Sequence, residues 1–248
     1  DKYGACIDSL EEIKPDIILI NPNFTVNSNI TMPVTRRLEI IKWAKENNVL
    51  IIEDDYNGEL RYSTHPMPCV QNYDTENTVY LGSFSKILLP SVRISYMVLP
   101  PDLLQRYIDT MSFYSCTVSG FEQYAMAAFL EKGYFERHIR RLLNDYRGQR
   151  ERICRMFRES PLSQISQIYQ DDAGTHFLLH VRTELSDVEI KWAARQRGIL
   201  VNCLSEYCFA DAQKYRGILV IHYSDMADEI LQKVIGALEE IFCNYSEP

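Results

Sequence analysis

The sequence predicts an α/β fold, with a mostly parallel sheet in a large domain and a smaller α+β domain after it. Between residues 16 and 54 a strand pattern, a helical pattern and a second strand pattern follow one another, which is the order of a βαβ crossover. The last third of the chain carries short strand and helix patterns, as in a compact α+β unit. We therefore predict a large domain at 1–137 and a small domain at 138–248, with the boundary inside a long helical stretch.

The composition is that of an ordinary soluble globular protein, with 248 residues of which 46% are hydrophobic and 24% are charged. The net charge of −8, without a long basic run, argues against this chain itself gripping a nucleic-acid backbone. No signal-peptide pattern occurs, and no apolar run approaches the roughly 18 residues of a membrane span. We therefore expect a soluble protein that does not bind membranes.

The cysteines and histidines show no metal-binding pattern. The seven cysteines are scattered and never form a Cys-x-x-Cys pair, so neither a disulfide framework nor a zinc site is indicated. His176, His180 and His222 fall on predicted strands without ligand spacing. These patterns favour a reducing cytoplasm and predict no metal site.

The first part of the chain supplies the crossover. Residues 7–13 have helical spacing, and Asp16–Ile20 is a buried strand that runs into the turn residues Asn21–Asn23. A helix follows and closes near Asn48. We assign its apolar face to Leu38, Ile41, Trp43 and Ala44.

Two buried strands end on polar residues. Val49–Asp54 runs into acids and a tyrosine, and Thr78–Gly82 runs into Ser83-Phe84-Ser85-Lys86. The carboxyl ends of parallel strands lie at one edge of the sheet, where open α/β sheets bind ligands. The candidate site therefore has six residues, which are Asp54, Tyr56, Ser83, Ser85, Lys86 and Arg93.

These residue types match the groups of pyridoxal 5'-phosphate (PLP). A desolvated lysine can form a Schiff base with the aldehyde, and a buried carboxylate can keep the pyridine nitrogen protonated. A phenol can hydrogen-bond the ring oxygen, while hydroxyls and a guanidinium can bind the phosphate. Asp54 and Asp55 point to opposite faces, so only one of them can face the ring. The alternatives are a solvated strand end for the acids and a structural ion pair for Arg93.

Three stretches around these residues resemble one family. They are Glu53–Tyr62, Gly82–Lys86 and Pro90–Tyr96, and together they resemble the aminotransferase-like domain of the MocR family, which are GntR-type bacterial transcription regulators. The similarity continues through Asn21–Met32 and Glu131–Tyr146. The resemblance implies a fold-type-I PLP-dependent transferase-like fold with an incomplete large-domain sheet. It also implies that a winged helix, a linker and the first part of the cofactor domain precede residue 1.

The resemblance also implies residue roles. Lys86 would carry the Schiff base, Asp54 would face the pyridine nitrogen with Tyr56 on the same face, and Arg93 would bind the phosphate. The pattern departs from that of the enzymes at residues 26–29, where they have Asn-Pro-Thr-Gly and this chain has Val26 in place of the ring-contacting asparagine. MocR regulators often have an aromatic residue there. The alternative is an ordinary surface turn.

The predicted small-domain strand Leu219–Tyr223 carries no arginine, although Arg216 precedes it. Transaminases of this fold hold the substrate carboxylate with an arginine on that strand. We therefore expect the effector-sensing and dimerisation domain of a PLP-dependent regulator, with an amine or amino acid effector, a homodimer, and DNA contacted through the winged helix. One alternative is a PLP-dependent aminotransferase acting on an amino acid. Another is a domain that binds no cofactor and serves to dimerise.

The remaining patterns are helices and short strands. We predict helices from about Asp102, from Gly120 to Leu130, and from Tyr134 to beyond Arg152, the last of them with interleaved charges typical of a solvated face. The small domain follows with strands His176–Val181, Ile199–Asn202 and Gly217–Tyr223 and with helices Asp187–Arg197 and Asp225–Cys243.

Overall fold

The structure is a computed structural model that describes residues 3–23, 30–62, 67–89, 91–169, 174–208, 212–222 and 226–243. Its contacts divide the chain into two compact units, one reaching Leu142 and one beginning at Leu143. The predicted domain boundary at residues 137/138 stays a prediction.

Seven α-helices and eight β-strands lie within the described residues. The helices are α1 Ile7–Ile13, α2 Val34–Asn47, α3 Pro101–Met111, α4 Gly120–Glu131, α5 Tyr134–Glu159, α6 Asp187–Gln196 and α7 Asp228–Phe242. The strands are β1 Ile17–Ile20, β2 Leu50–Asp55, β3 Thr78–Ser83, β4 Ser95–Val98, β5 Ser166–Tyr169, β6 His176–Val181, β7 Asn202–Cys203 and β8 Ile218–His222.

The first unit contains a four-stranded sheet in the order β1-β2-β3-β4. The first three strands are parallel, with Ile20 opposite Glu53 and Asp54 opposite Leu81. The edge strand β4 is antiparallel to β3. This arrangement, with α2 as the crossover between β1 and β2, confirms the predicted α/β class.

Helix α2 covers one face of this sheet. Its buried residues follow the helical spacing i, i+3, i+4, i+7 and are Arg37, Ile40, Ile41 and Ala44, with Trp43 beside them. The assignment of Leu38 to the apolar face is wrong, since this side chain is 46% exposed. The predicted Ile41, Trp43 and Ala44 are buried, whereas Arg37 and Ile40 take the place that we gave to Leu38 on this face.

The second unit is an antiparallel sheet in the order β5-β6-β8-β7, with α6 and α7. The edge of the Phe157 ring on α5 contacts Phe177 on β6, with the ring centroids 5.7 Å apart. Both side chains are almost fully buried. This aromatic pair anchors the end of the long helix to the sheet.

One prediction for this unit needs correction, one strand was missed, and one prediction is not tested. The strand predicted at Ile199–Asn202 reduces to β7, because the Ile199 amide donates to the Ala194 carbonyl and so helps to close α6. Strand β5 was not predicted. The last helix begins at Asp228 after Ala227, and the predicted cap at Asp225 lies outside the described residues.

Within the described residues, no helix combines the length and the apolarity that a membrane crossing requires.

Candidate functional site

The candidate site lies where β2 and β3 end. The two strands are parallel and in register up to Asp55 and Gly82, so the residues that follow them leave the same edge of the sheet. Tyr56 continues from β2, and a turn over residues 84–89 continues from β3 and contains Lys86. The predicted convergence of the two strand ends is therefore present.

Strand β2 separates its two aspartates by face. Asp55 is buried and its Oδ2 accepts a 2.9 Å hydrogen bond from the Tyr80 hydroxyl. Gly58 turns directly over this carboxylate, and a Cβ there would lie 2.3 Å from Asp55 Oδ2. Asp54 is half-buried on the opposite face. The structure thus leaves Asp54, and not Asp55, available to a ligand.

Asp54 lines a cavity of about 360 Å³ against the sheet, together with Leu81, Gly82, Ser83, Ser95, Tyr96 and Met97. Burial raises the pKa of the Asp54 carboxyl, and the charge of Asp55 raises it further. A cationic or N–H donor group placed next to Asp54 would stabilise its charged form. The cavity therefore favours a ligand that carries such a group.

Lys86 lies on the same side as Tyr56, with its Nζ 5.4 Å from the centre of the Tyr56 ring. Desolvation lowers the pKa of the Lys86 amine. Desolvation, with a smaller contribution from Asp54, raises the pKa of Tyr56 to about 12. The lysine side chain is still exposed to solvent, so the amine is only partly enclosed.

The turn that carries Lys86 is held by neighbouring side chains. The Ser85 hydroxyl donates to the Val92 carbonyl at 2.6 Å, and the Ser83 hydroxyl accepts from the Ser85 amide at 3.3 Å. A ring nitrogen of His138 lies 2.6 Å from the Ile87 carbonyl oxygen. These contacts connect the turn to the segment after it and to α5.

The predicted phosphate ligands are not equally available. Ser83 is half-buried and its hydroxyl is free to donate, whereas the hydroxyl of Ser85 already donates to Val92. Arg93 is exposed and makes no hydrogen bond or ion pair with the described part of the chain. The phosphate-binding roles of these three residues stay predictions. The predicted departure at Val26 lies outside the described residues.

Arg216 does not offer a free guanidinium before β8. Its Nε donates to the Leu185 carbonyl at 3.1 Å, and its Nη2 donates to the Glu184 carbonyl. Strand β8 itself reads Ile-Leu-Val-Ile-His. An arginine clamp for a substrate carboxylate is therefore absent from β8, which lies wholly within the described residues.

We missed two buried charges next to the site, Arg37 and Glu53, which are both fully buried. A signal for each was present in the sequence. Arg37 precedes Ile40, Ile41 and Ala44 at helical spacing, and Glu53 interrupts the apolar run of β2. A charge at a core position of a helix or strand indicates a buried polar network.

No family model matches the chain. It is 36% identical over 202 residues to the uncharacterized HTH-type transcriptional regulator YdeL of Bacillus subtilis, covering 81% of this chain and 43% of that protein. It is 34% identical over 240 residues to the HTH-type regulator YhdI of the same organism, covering 96% and 50%. It is 29% identical over 244 residues to the probable rhizopine catabolism regulatory protein MocR of Rhizobium meliloti, covering 98% and 49%.

The chain spans about half the length of these curated relatives. Among solved structures it is similar to a kynurenine aminotransferase of Pyrococcus horikoshii, with a TM-score of 0.83, 23% identity, and coverage of 100% of this chain and 63% of that one. This likeness confirms the predicted fold-type-I aminotransferase fold. By sequence, the chain belongs to the MocR family of GntR-type transcriptional regulators.

Proposed function

We propose that the chain is the effector-sensing and dimerisation part of a PLP-dependent transcriptional regulator and that it holds PLP as a Schiff base at Lys86. The observation that carries the proposal is the shared position of three groups at one sheet edge. A partly desolvated amine on Lys86 lies 5.4 Å from the Tyr56 ring centre, and Asp54 precedes Tyr56 on the same strand end.

The residues fit the parts of PLP in different degrees. Asp54 is half-buried and has no hydrogen-bond partner in the described chain, so it can accept the pyridine N–H. The Tyr56 phenol keeps its proton because its pKa is raised to about 12, so it can donate to the ring oxygen. Ser83 supplies a free hydroxyl for the phosphate. Bound there, PLP would supply an electron-withdrawing ring and an aldehyde.

A regulator is favoured over an enzyme by the contacts of Arg216. Catalysis requires interactions that hold the substrate and strengthen in the transition state. Arg216, which precedes β8 in the sequence, is bound to two backbone carbonyls, and β8 itself carries no arginine. Capture of a cofactor and an amine effector needs no such clamp.

The alternative is a PLP-dependent aminotransferase acting on an amino acid, which is favoured by the likeness to the Pyrococcus horikoshii enzyme. The two functions differ in turnover. We expect the PLP-loaded chain, mixed with a panel of amino acids, to release no oxo acid over many minutes. Multiple turnovers per minute with any common amino acid would contradict the regulator and support the enzyme.

We assign DNA contact to a winged-helix domain of the whole regulator, and not to this chain. The curated relatives are HTH-type regulators, and the match spans about half of their length. The net charge of −8 makes this chain itself a poor partner for a phosphate backbone. The bacterial cytoplasm is the compartment that we propose for the regulator.

We assign homodimerisation to exposed aromatic side chains that lie just after α3 and in the first turn of α4. Phe113 and Tyr114, which stack with centroids 4.2 Å apart, are 74% and 63% exposed. Phe121 and Tyr124, one turn apart on α4, are 86% and 81% exposed. Aromatic side chains bury about 150–250 Å² each, so four of them supply most of the about 800 Å² per partner in a standard interface. A second copy of the chain is therefore a suitable partner.

Replacing Phe121 and Tyr124 together by serine should weaken the dimer. Truncation of one hot-spot aromatic residue costs about 2 kcal/mol, so the dissociation constant should rise at least about 30-fold if one of the two is a hot spot. The thermal midpoint of the monomer should barely change, because both side chains are exposed. Sedimentation velocity over a concentration series measures the effect. Trp192→Ser, which removes another exposed aromatic residue, is the control, and equal effects of the two variants would contradict the assignment.

The pH at which attachment of PLP becomes fast should be lower for Lys86 than for an ordinary lysine. The neutral amine is the nucleophile, and desolvation lowers the Lys86 pKa below its ordinary value of 10.5. The rate of attachment, trapped with borohydride and quantified on the Lys86 peptide, should therefore reach its midpoint below pH 10.5. The matched control is the same peptide in the urea-unfolded chain. Coincident midpoints in the folded and unfolded chains would contradict the expectation.

A further inference from the structure

Arg37 on α2 has no solvent exposure, and within the described residues its guanidinium bonds to loops and not to a carboxylate. A buried charge is tolerated only when it is well hydrogen-bonded, and four of the five guanidinium N–H groups of Arg37 have acceptors. Its four hydrogen bonds run from Nε to the Met32 carbonyl at 3.0 Å, from Nη1 to the Pro68 carbonyl at 2.7 Å, and from Nη2 to the Pro22 carbonyl at 3.0 Å and Asn23 Oδ1 at 2.8 Å.

Glu53 binds one of the same loops from β2. Its carboxylate is fully buried and accepts from the amides of Val70 and Gln71, both at 2.9 Å. Burial raises the pKa of Glu53, while these two amides and the charge of Arg37 lower it. The segment 68–71 is thus held at the Pro68 carbonyl by the Arg37 guanidinium and at the amides of Val70 and Gln71 by the Glu53 carboxylate.

The loop after β1 and the loop after Tyr56, which Arg37 contacts, both begin beside the candidate site. Strand β1 ends at Ile20 opposite Glu53, so Pro22 and Asn23 leave the sheet at the edge where Asp54 and Tyr56 lie. The loop returns at Met32, whose amide donates to the Pro22 carbonyl at 2.9 Å.

The second loop starts from Tyr56 and returns through Pro68 to Val70, next to Glu53. Arg37 therefore bonds to both stems of the first loop and to the returning stem of the second. A planar guanidinium can reach three separate stems at once because its N–H groups diverge in a fixed fork, which a lysine ammonium cannot reproduce.

We propose that Arg37 is a positioning residue of the Lys86 site, which fixes both stems of the loop that leaves β1 and the returning stem of the loop that leaves β2 after Tyr56. The proposal rests on the proposed function, since the site that it positions is the PLP site. Arg37 itself touches no ligand. It acts by setting where the backbone next to Asp54 and Tyr56 lies.

The test is PLP binding by Arg37→Lys, compared with Arg36→Met. Lysine keeps the charge but loses the fork, so we expect its dissociation constant for PLP to rise about 10- to 100-fold, as when an outer partner that orients a site is removed. Arg36 lies next to Arg37 but bonds to the Ala5 carbonyl and to Glu39. The Arg36→Met variant should therefore bind PLP within about twofold of the unchanged chain.

The measurement is made at a temperature at which the far-UV circular dichroism of all variants is the same. A purely structural role would lower the thermal midpoint of Arg37→Lys and leave its PLP affinity unchanged, which would overturn the proposal. Asn23→Ala removes one Arg37 partner and keeps the arginine, so it serves if Arg37→Lys does not fold. We expect it to weaken PLP binding in the same direction, and unchanged affinity there would also overturn the proposal.

Failure of the proposed function gives a different result. In that case the unchanged chain would not attach PLP at Lys86 at all. Attachment in the unchanged chain with equal affinity in Arg37→Lys would overturn the positioning role alone.

Discussion

Replacing Lys86 by alanine should abolish covalent attachment of PLP at this site, because the Lys86 amine is the nucleophile that we propose for the Schiff base. Lys86 lies on the turn after β3 with its Nζ 5.4 Å from the Tyr56 ring centre. Because the side chain is exposed and makes no ion pair with the described residues, the substitution should leave the thermal midpoint nearly unchanged. The readout is the visible absorption band of the chain with added PLP, recorded before and after borohydride reduction.

The matched control is Lys42→Ala. Lys42 is 77% exposed and pairs with Glu46 on the surface of α2. This variant should form the same band as the unchanged chain. A band of equal intensity in Lys86→Ala would mean that another lysine carries the cofactor.

Substitutions of the two aspartates of β2 should affect different properties, namely PLP binding for Asp54 and folding stability for Asp55. Asp54→Ala should weaken PLP binding by about 10- to 100-fold, since a hydrogen bond to a charged group contributes about 1.5–3 kcal/mol. It should leave the free energy of unfolding nearly unchanged, because burial already disfavours the charge of Asp54. The effect on binding is measured by equilibrium titration with PLP.

Asp55→Ala should do the reverse. It leaves the Tyr80 hydroxyl without its 2.9 Å partner and should lower the free energy of unfolding by about 1–3 kcal/mol. Its affinity for PLP should stay within about twofold. Urea unfolding measures the stability of both variants. If Asp55→Ala weakened PLP binding more than Asp54→Ala, the assignment of faces on β2 would be wrong.

The parallel sheet and its edge were predictable because the signals are local and strong. The runs that became β2 and β3 are apolar and β-branched, and each ends on polar residues. Strand alternation then predicts that Asp54 and Asp55 face opposite ways, which the hydrogen bond from Tyr80 to Asp55 confirms. The choice between the two aspartates came from the family resemblance.

The errors arose where tertiary contacts override the local pattern. The predicted strand from Ile199 lost its first residues because the Ile199 amide bonds to the end of α6, and Leu200 is 82% exposed. The assignment of Leu38 to the core failed because Arg37 took the buried position. A prediction from hydrophobic periodicity takes charged residues to lie outside the buried face, so it does not find a buried arginine.

The contacts of Arg37 and Ser85 could not be predicted from sequence. Arg37 is stabilised by the carbonyls of Pro22, Met32 and Pro68, and backbone carbonyls leave no mark in the residue pattern. The donation from the Ser85 hydroxyl to Val92 depends in the same way on how the turn closes. Such bonds follow from the path of the chain, which the sequence pattern specifies only coarsely.

The central claim, that Lys86 is the lysine that binds PLP, is tested most directly by peptide mapping. The chain is incubated with PLP, reduced with borohydride and digested, and each lysine peptide is quantified by mass spectrometry. We predict that the phosphopyridoxyl group is found on the peptide that contains Lys86, in near-stoichiometric amount. Labelling spread evenly over exposed lysines such as Lys42 and Lys132, or its absence from the Lys86 peptide, would contradict the account.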